Sequence, residues 1–294
     1  MVVFMKIHIF TYPSSSTWYG SVMASALKDL GHNAAVTKVA ADCFQDDITF
    51  LLLCGRLSRP PNDTFHEIKG KSNCIVLMQT EQIFKNKRFL VWLNKMQPHI
   101  DAIAEYDVEQ IETIRPISKV PIHLLQVGFH KDMITSNDKP VSLPWDVFRL
   151  EKAIKSRIQY YKALNRTQIK CFKNIPLGDR NKIGIYSRNS KICLNVHAYG
   201  PTATLSAARV IGMFMANHGF CLIQRSNYPN FKHGKHLIYF DDPRDMIKKI
   251  RFYIKHQDKA RQIAENAFNH ISTKLKLTTF LEEYISWLKK IKRI

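Results

Sequence analysis

The sequence predicts an α/β protein built from two Rossmann-like domains, each with a mostly parallel sheet, facing each other across a cleft. Three observations carry this. Short β-type runs alternate with helical patterns along the whole chain. Several of those runs, above all Cys74–Met78 (CIVLM) and Lys191–Val196 (KICLNV), are continuously apolar, as strands covered on both faces are. A polar, proline-marked stretch, Gly128–Pro144, separates two such alternations of similar size. At 294 residues the chain is longer than one hydrophobic core usually supports, and 45% apolar with 23% charged residues excludes disordered and coiled-coil classes.

The elements follow in order. Val3–Phe10 reads as a strand, Ser14–Thr17 as a polar loop, and Tyr19–Leu30 as a helix capped by Gly31. Asn33–Val39, Thr49–Cys54, Cys74–Met78, Ala102–Ala104 and Ile122–Leu125 continue as strands, with helices over Phe89–Met96 and Val108–Ile114. Beyond the linker, Glu151–Leu164 reads as a basic amphipathic helix, Gln168–Phe172 and Lys191–Val196 as strands, and Leu205–Asn217 as a helix ending at Gly219. Phe220–Ile223 and Leu237–Phe240 are the last strands. Pro243–His256, Asp258–Thr273 and Thr278–Lys292 are helices, the last with Phe280, Tyr284, Trp287, Leu288 and Ile291 on one face. The expected division is therefore 1–137, 138–275 and a terminal helix, 276–294, packing back on the first domain.

Charge is unevenly spread. Residues 1–137 hold 14 Lys+Arg and 13 Asp+Glu, whereas 138–294 hold 30 and 11, so nearly all of the formal +20 lies in the second part. Such a field favours a polyanion: nucleic acid, a phospholipid surface, or a substrate carrying a diphosphate. No apolar run approaches the ~20 residues of a membrane helix. Six cysteines without ligand spacing read as buried free thiols, and the expected location is cytoplasmic. Walker A, GxGxxG, HExxH and GxSxG motifs are all missing, so kinase, dinucleotide oxidoreductase, zinc protease and α/β-hydrolase readings lack their usual chemical handles.

The block Ile192–Gln224 (ICLNVHAYGPTATLSAARVIGMFMANHGFCLIQ) is the strongest local feature: strand, loop, helix, strand. Gly200 and Thr202 precede a helix start, where free backbone N–H groups suit an anionic phosphate. Arg209, about one turn in, is placed to grip a diphosphate, and His197, just past the strand end, is a candidate catalytic residue, although a loop histidine bonded to backbone has the same pattern. Arg188 flanks the strand on its other side, and Gln224 and Arg225 end the next one. Asp107, grouped with Glu105 and Glu109 after a strand, is the candidate base for an acceptor hydroxyl, although acids also suit a helix's first turn for its dipole alone.

The order LNVHAY, an arginine-bearing helix, HGFCLI and then YFDDPRDMIKKIRFYIKHQDKARQIAENAFNHI resembles the donor-binding domain of GT-B glycosyltransferases. It is most similar to the spore-maturation CgeB-type and group 1-like families. TEQI at 80–83, AEYDVEQIETI at 104–114 and LLQVGFHKDM at 124–133 extend the likeness upstream. The resemblance implies a metal-independent enzyme that moves a sugar from a nucleotide-activated donor to a hydroxyl acceptor. It needs no cofactor, because helix dipole and basic side chains stabilise the departing diphosphate. Charge adds an anionic acceptor, DNA or a membrane surface, as a partner. Two positions usually acidic in the family are Ser206 and Gln224 here, and Asp146–Lys152 (DVFRLEK) lacks the family's glycine. These departures admit an alternative, a non-catalytic module of the same fold that binds nucleic acid or an anionic membrane.

Overall fold

The structure, a computed structural model, describes residues 4–12, 17–38, 47–53, 67–79, 87–135, 141–151, 154–172, 175, 179–198 and 207–292. The chain forms two compact units. The first comprises Met1–Val127 together with Leu277–Ile294, the second Gly128–Lys276.

In the first unit β1 (Lys6–Tyr12), β2 (Asn33–Thr37), β3 (Ile48–Leu53), β4 (Ile75–Gln79), β5 (Ala102–Glu105) and β6 (Ile122–Leu124) make one sheet in the order β2-β1-β3-β4-β5-β6, parallel throughout. Parallel pairing demands crossovers, supplied among the described residues by α1 (Thr17–Asp29), α2 (Lys87–Met96) and α3 (Val108–Ile114). Phe10, Leu51, Leu77, Leu93, Met96, Ile103 and Ile114 fuse into a core on one face. Helix α1 buries Tyr19, Val22, Met23, Ala26 and Leu27, and stops at Gly31, whose φ of +87° is the left-handed turn its sequence position predicts. Glycine is also required at Gly20, where a Cβ would stand 2.6 Å from Thr11 Cγ2.

In the second unit β7 (Val147–Phe148), β8 (Cys171–Phe172), β9 (Ile192–Asn195), β10 (Cys221–Gln224) and β11 (Ile238–Phe240) are ordered β11-β10-β9-β7-β8, again all parallel. Helices α4 (Ile158–Asn165) and α5 (Arg180–Asn189) precede the segment α6, which opens as an α-helical turn at Ala207–Arg209, widens to a π-helix over Val210–Phe214 and tightens to a 3-10 turn at Met215–Asn217. Then come α7 (Pro243–Lys255) and α8 (Gln257–Lys274). Tyr160, Tyr161 and Leu164 of α4 join Met246 and Ile250 of α7 over Val147, Leu194 and Leu222. The last helix, α9 (Leu277–Lys292), belongs to the first unit: Leu281, Tyr284 and Leu288 are sealed, Tyr284 packs on Phe50 and Trp287 stacks on His123 at 4.7 Å.

Several sequence expectations shift. The boundary lies at Val127/Gly128, because Thr135 N and Oγ1 both donate to Asn217 Oδ1 at 2.9 Å, tying residues before the prolines to the second unit. The helix expected over 151–164 begins only at Ile158. Residues ahead of it are extended or a 3-10 turn (Lys155–Arg157), since Glu151 and Arg157 turn inward to bond the strand ends. Helix α5, polar and uneven in pattern, has no counterpart in the sequence reading. Gly219 is not the left-handed cap of α6; His218 takes that conformation at φ 54°, its ring stacked on Phe268 at 3.9 Å. Gly219 is needed for space instead, with a Cβ there falling 2.8 Å from Cys193 Sγ. Of the six cysteines, the four described are free, with Cys74, Cys193 and Cys221 buried.

At Gly184 in α5 a Cβ would lie 2.1 Å from Thr135 Oγ1 and 2.3 Å from its Cγ2. Gly184→Ala is therefore expected to cost about 1–3 kcal/mol of stability by overpacking, read as a lowered Tm in thermal denaturation.

Candidate functional site

In an open parallel sheet ligands collect at the carboxyl ends of the strands, beside the pair from which the chain winds outward in both directions. In the second unit that pair is β7 and β9: β8 lies outside β7, while β10 and β11 lie beyond β9. The residues that follow these two strands are Arg149 to Glu151 and Val196 to Ala198. The charged and polar ones among them are buried and bonded to neighbouring strand ends.

Glu151 is the hub. Its side chain is fully sealed, Oε1 accepts from Val196 N at 3.1 Å, and Tyr161 OH lies 3.5 Å from Oε2. Three guanidiniums surround it. Arg149 donates to the Glu151 carbonyl at 2.5 Å with its guanidinium carbon 3.7 Å from the centre of the Tyr161 ring. Arg157 Nε donates to the Val196 carbonyl at 2.7 Å. Arg209 Nη1 donates to Asn195 Oδ1 at 3.0 Å and lies 4.0 Å from Glu151 Oε1. A buried carboxylate balances one of three charges, so the cluster keeps an excess of about two positive charges. Burial pulls the Arg157 guanidinium below its usual value while Glu151 opposes the shift. Arg209 alone of this set reaches solvent in part, at 22% exposure. Among the described residues, Asn195 Nδ2 and Arg209 Nε are buried donors with no hydrogen-bond partner.

His197 occupies the neighbouring strand end. Its backbone N–H donates to Gln224 Oε1 at 3.0 Å, its Nε2 is 2.9 Å from the Gln224 carbonyl, and Gln224 Nε2 donates to Tyr160 OH at 2.8 Å. A carbonyl only accepts, so Nε2 carries the proton and Nδ1 keeps a lone pair, without a partner among the described residues. Burial, reinforced by the charges of Arg209 and Arg157, holds the His197 pKa down at about 4. The imidazole is neutral at physiological pH.

The other expected site residues divide. Arg225 follows β10 at the same edge, but its fork is engaged by Asp241 (2.5 and 3.1 Å) at a half-exposed position. Arg188 is not brought to this cluster. It lies near the end of α5, which leads into the amino end of β9, the opposite edge of the sheet. Gly200, Thr202 and Ser206 lie outside the described residues. In the first unit Asp107 is the N-cap of α3, accepting from Glu109 N at 2.9 Å. Beside it Glu105 ends β5 fully buried, accepting from Tyr106 N and Gln110 Nε2 at 2.9 and 3.0 Å. Burial first, and then the charge of Asp107, raise the Glu105 carboxyl well above the usual carboxylate range. The sequence reading overlooks Glu151, Asn195, Arg149 and Arg157. The signal available is the short apolar pair in DVFRLEK, which marks β7 and makes the charged residues after it switch-point residues. Among the described residues no cluster of His, Cys, Asp and Glu could hold a metal ion, and no helix is long and apolar enough to cross a membrane.

Two doubly wound parallel units, with the charged cluster at the strand ends of the second, make the GT-B class of fold. Solved structures agree. The chain superposes with a TM-score of 0.68 on Anabaena Alr3699/HepE in complex with UDP-glucose, at 11% identity over 97% of this chain and 100% of that one. A glycosyltransferase from Rickettsia africae ESF-5 gives 0.62 at 13% identity over 99% of both chains. An α1,3-fucosyltransferase gives 0.55 at 10% identity over 97% of this chain and 90% of that one. No curated protein matches the chain by sequence. Residues 172–285 match the family model described as glycosyl transferase-like. By its fold the chain is of the GT-B class, and its residues 172–285 are similar to the glycosyl transferase-like family.

Removing the hub should be severe: Glu151→Ala leaves three buried or half-buried guanidiniums without a counter-charge, an expected loss of about 3–5 kcal/mol in denaturant unfolding. For His197 the sign follows from a folded pKa of about 4 against 6.5 unfolded. Between those values the unfolded chain binds more protons, so stability falls as pH drops from about 6.5 to 4, by about 3 kcal/mol at most. The pH dependence of unfolding in His197→Asn should be flatter than wild type by that amount across this range.

Proposed function

We propose that the chain transfers a sugar from a nucleotide diphosphate donor to a hydroxyl acceptor without a bound metal, with the donor's diphosphate seated at the strand ends of the second unit. The observation that carries this is the Arg209–Asn195–Glu151 cluster: a partly exposed guanidinium with an unused donor, an unpaired amide beside it, and a net positive charge behind both. Breaking the bond between sugar and diphosphate builds negative charge on the leaving phosphate. Fixed cations and N–H donors already in place lower that barrier without reorganising. Arg209 supplies the direct contact. Arg149 and Arg157, whose N–H groups already serve carbonyls, contribute field rather than hydrogen bonds. In this reading Gly200, Thr202 and Ser206 add backbone and hydroxyl donors to the phosphates, and Gln224 and Arg225 border the sugar or base.

His197 is read as a hydrogen-bond acceptor for a substrate hydroxyl rather than a base, since a group with a pKa of about 4 is poorly matched to proton abstraction near neutrality. Asp107 is the proposed base. Burial and the charge of Asp107 raise the Glu105 carboxyl beside it, so the two acids sit in unequal environments. The acceptor is proposed to be anionic or to be carried on an anionic surface, because Gly128–Lys276 holds 27 Lys+Arg against 10 Asp+Glu. The buried free thiols suit a reducing, cytoplasmic setting. HepE, crystallised with UDP-glucose and with UDP, makes uridine nucleotides the first donors to try.

Calorimetric titration with UDP should show binding by the wild type and at least about tenfold weaker binding by Arg209→Ala. Equal affinities would remove the proposal. With a UDP-sugar and a competent acceptor, Asp107→Asn is expected to lower kcat about 10²-fold or more with little change in donor affinity, and EDTA should leave the wild-type rate unchanged.

A further inference from the structure

A second basic feature of the Gly128–Lys276 unit is separate from the strand-end cluster. Helices α4 and α7 lie side by side over the same core, and a groove of about 520 Å³ runs between them. It is lined by Ala163, Thr167, Pro243 and Ile247, and by the exposed cations Arg166, Arg244, Lys248 and Arg251. Arg244, Lys248, Arg251 and Lys255 recur at helical spacing, so they form one stripe along α7. The acids nearby are already engaged. Asp242 caps α7 through the N–H groups of Arg244 and Asp245, Asp245 pairs with Lys249 at 2.6 Å, and Asp241 holds Arg225. No carboxylate among the described residues pairs with any of the four cations lining the groove. Two large apolar side chains are exposed on the same two helices: Ile158 at the start of α4 (40%) and Phe252 beside the stripe on α7 (42%).

We infer that the α4/α7 face is a docking surface for an anionic bilayer, with a phospholipid phosphate held in the groove and Phe252 entering the headgroup layer. Unpaired cations flanked by exposed apolar side chains are what an interfacial helix presents to such a membrane. A nucleic-acid site would add a run of aromatic faces for stacking or a groove-reading element; here the groove is lined by Ala163, Thr167, Pro243 and Ile247 with no aromatic ring among them, and Phe252 beside it is faced by Lys259 Nζ at 5.4 Å from its ring centre. The inference deepens the proposal of an anionic acceptor surface but leaves donor binding untouched, because none of these side chains belongs to the Arg209 cluster.

The test is co-sedimentation of the full chain with phosphatidylglycerol-containing vesicles, with pure phosphatidylcholine vesicles and duplex DNA as the other arms. Binding to the anionic vesicles, lost at about 0.5 M salt, and little to phosphatidylcholine is expected. Lys248→Gln/Arg251→Gln should weaken vesicle partition by roughly twenty-fivefold, at about fivefold per surface cation, and Phe252→Ser should weaken it severalfold at unchanged salt dependence. Both variants should melt like wild type and bind UDP like wild type, which separates this idea from the donor site. Full vesicle binding by the double variant, equal binding to both lipids, or retention on DNA with none on vesicles would overturn it.

Discussion

A single carboxylate inside a cage of guanidiniums organises the second unit. Glu151 would be costly to bury alone, and Arg149, Arg157 and Arg209 would be costly without it. Together they knit the ends of β7 and β9 to the 3-10 turn before α4 and to the start of α6. That explains why the chain stays extended through Glu151 and begins its helix only at Ile158: an earlier helix would carry the carboxylate away from Val196 N. The same network holds Arg209 against Asn195, with one edge still open to solvent. The atoms that stabilise the fold here are the same ones to which the donor site is assigned by the proposal.

The basic excess of this unit is divided into two kinds of charge. At the strand ends the cations are mostly buried, fixed by carbonyls and ring faces, and able to act at short range on a phosphate in a poorly screened setting. Along α7 they are exposed and screened within about a Debye length, so each contributes less per contact than a buried cation does. Net charge alone merges these two populations; burial and partners separate them.

Much of the architecture is legible in the sequence because buried parallel strands leave continuous apolar runs, and those at β4, β9 and β10 fall within a residue or two of their expected bounds. What escapes is short or polar. β7 has two residues and is bordered by charge, so no periodicity marks it, yet it is central to its sheet and carries Arg149 and Glu151 behind it. Helix α5 escapes for a similar reason: Arg180, Asn181, Lys182, Arg188 and Asn189 hide a buried face of Ile183, Gly184 and Ser187. At the site, the strand–loop–helix grammar locates Arg209, His197 and Gln224 at one edge, because residues after parallel strands share that edge. It misplaces Arg188, which precedes its strand. The family pattern looks for an acid at Ser206 or Gln224, close to Arg209 along the chain. The acid beside Arg209 is instead Glu151, which follows β7 and meets the end of β9 through a contact that only the fold creates.

The return of α9 to the first unit has a consequence for biosynthesis. The second unit is one uninterrupted stretch, Gly128–Lys276, while the first is closed by residues 277–294, including the sealed Tyr284 that packs on Phe50. On a ribosome the middle of the chain therefore has all its parts before the beginning does. The first unit, though begun before the second, keeps part of its apolar surface uncovered until α9 has followed the whole of the second unit off the ribosome.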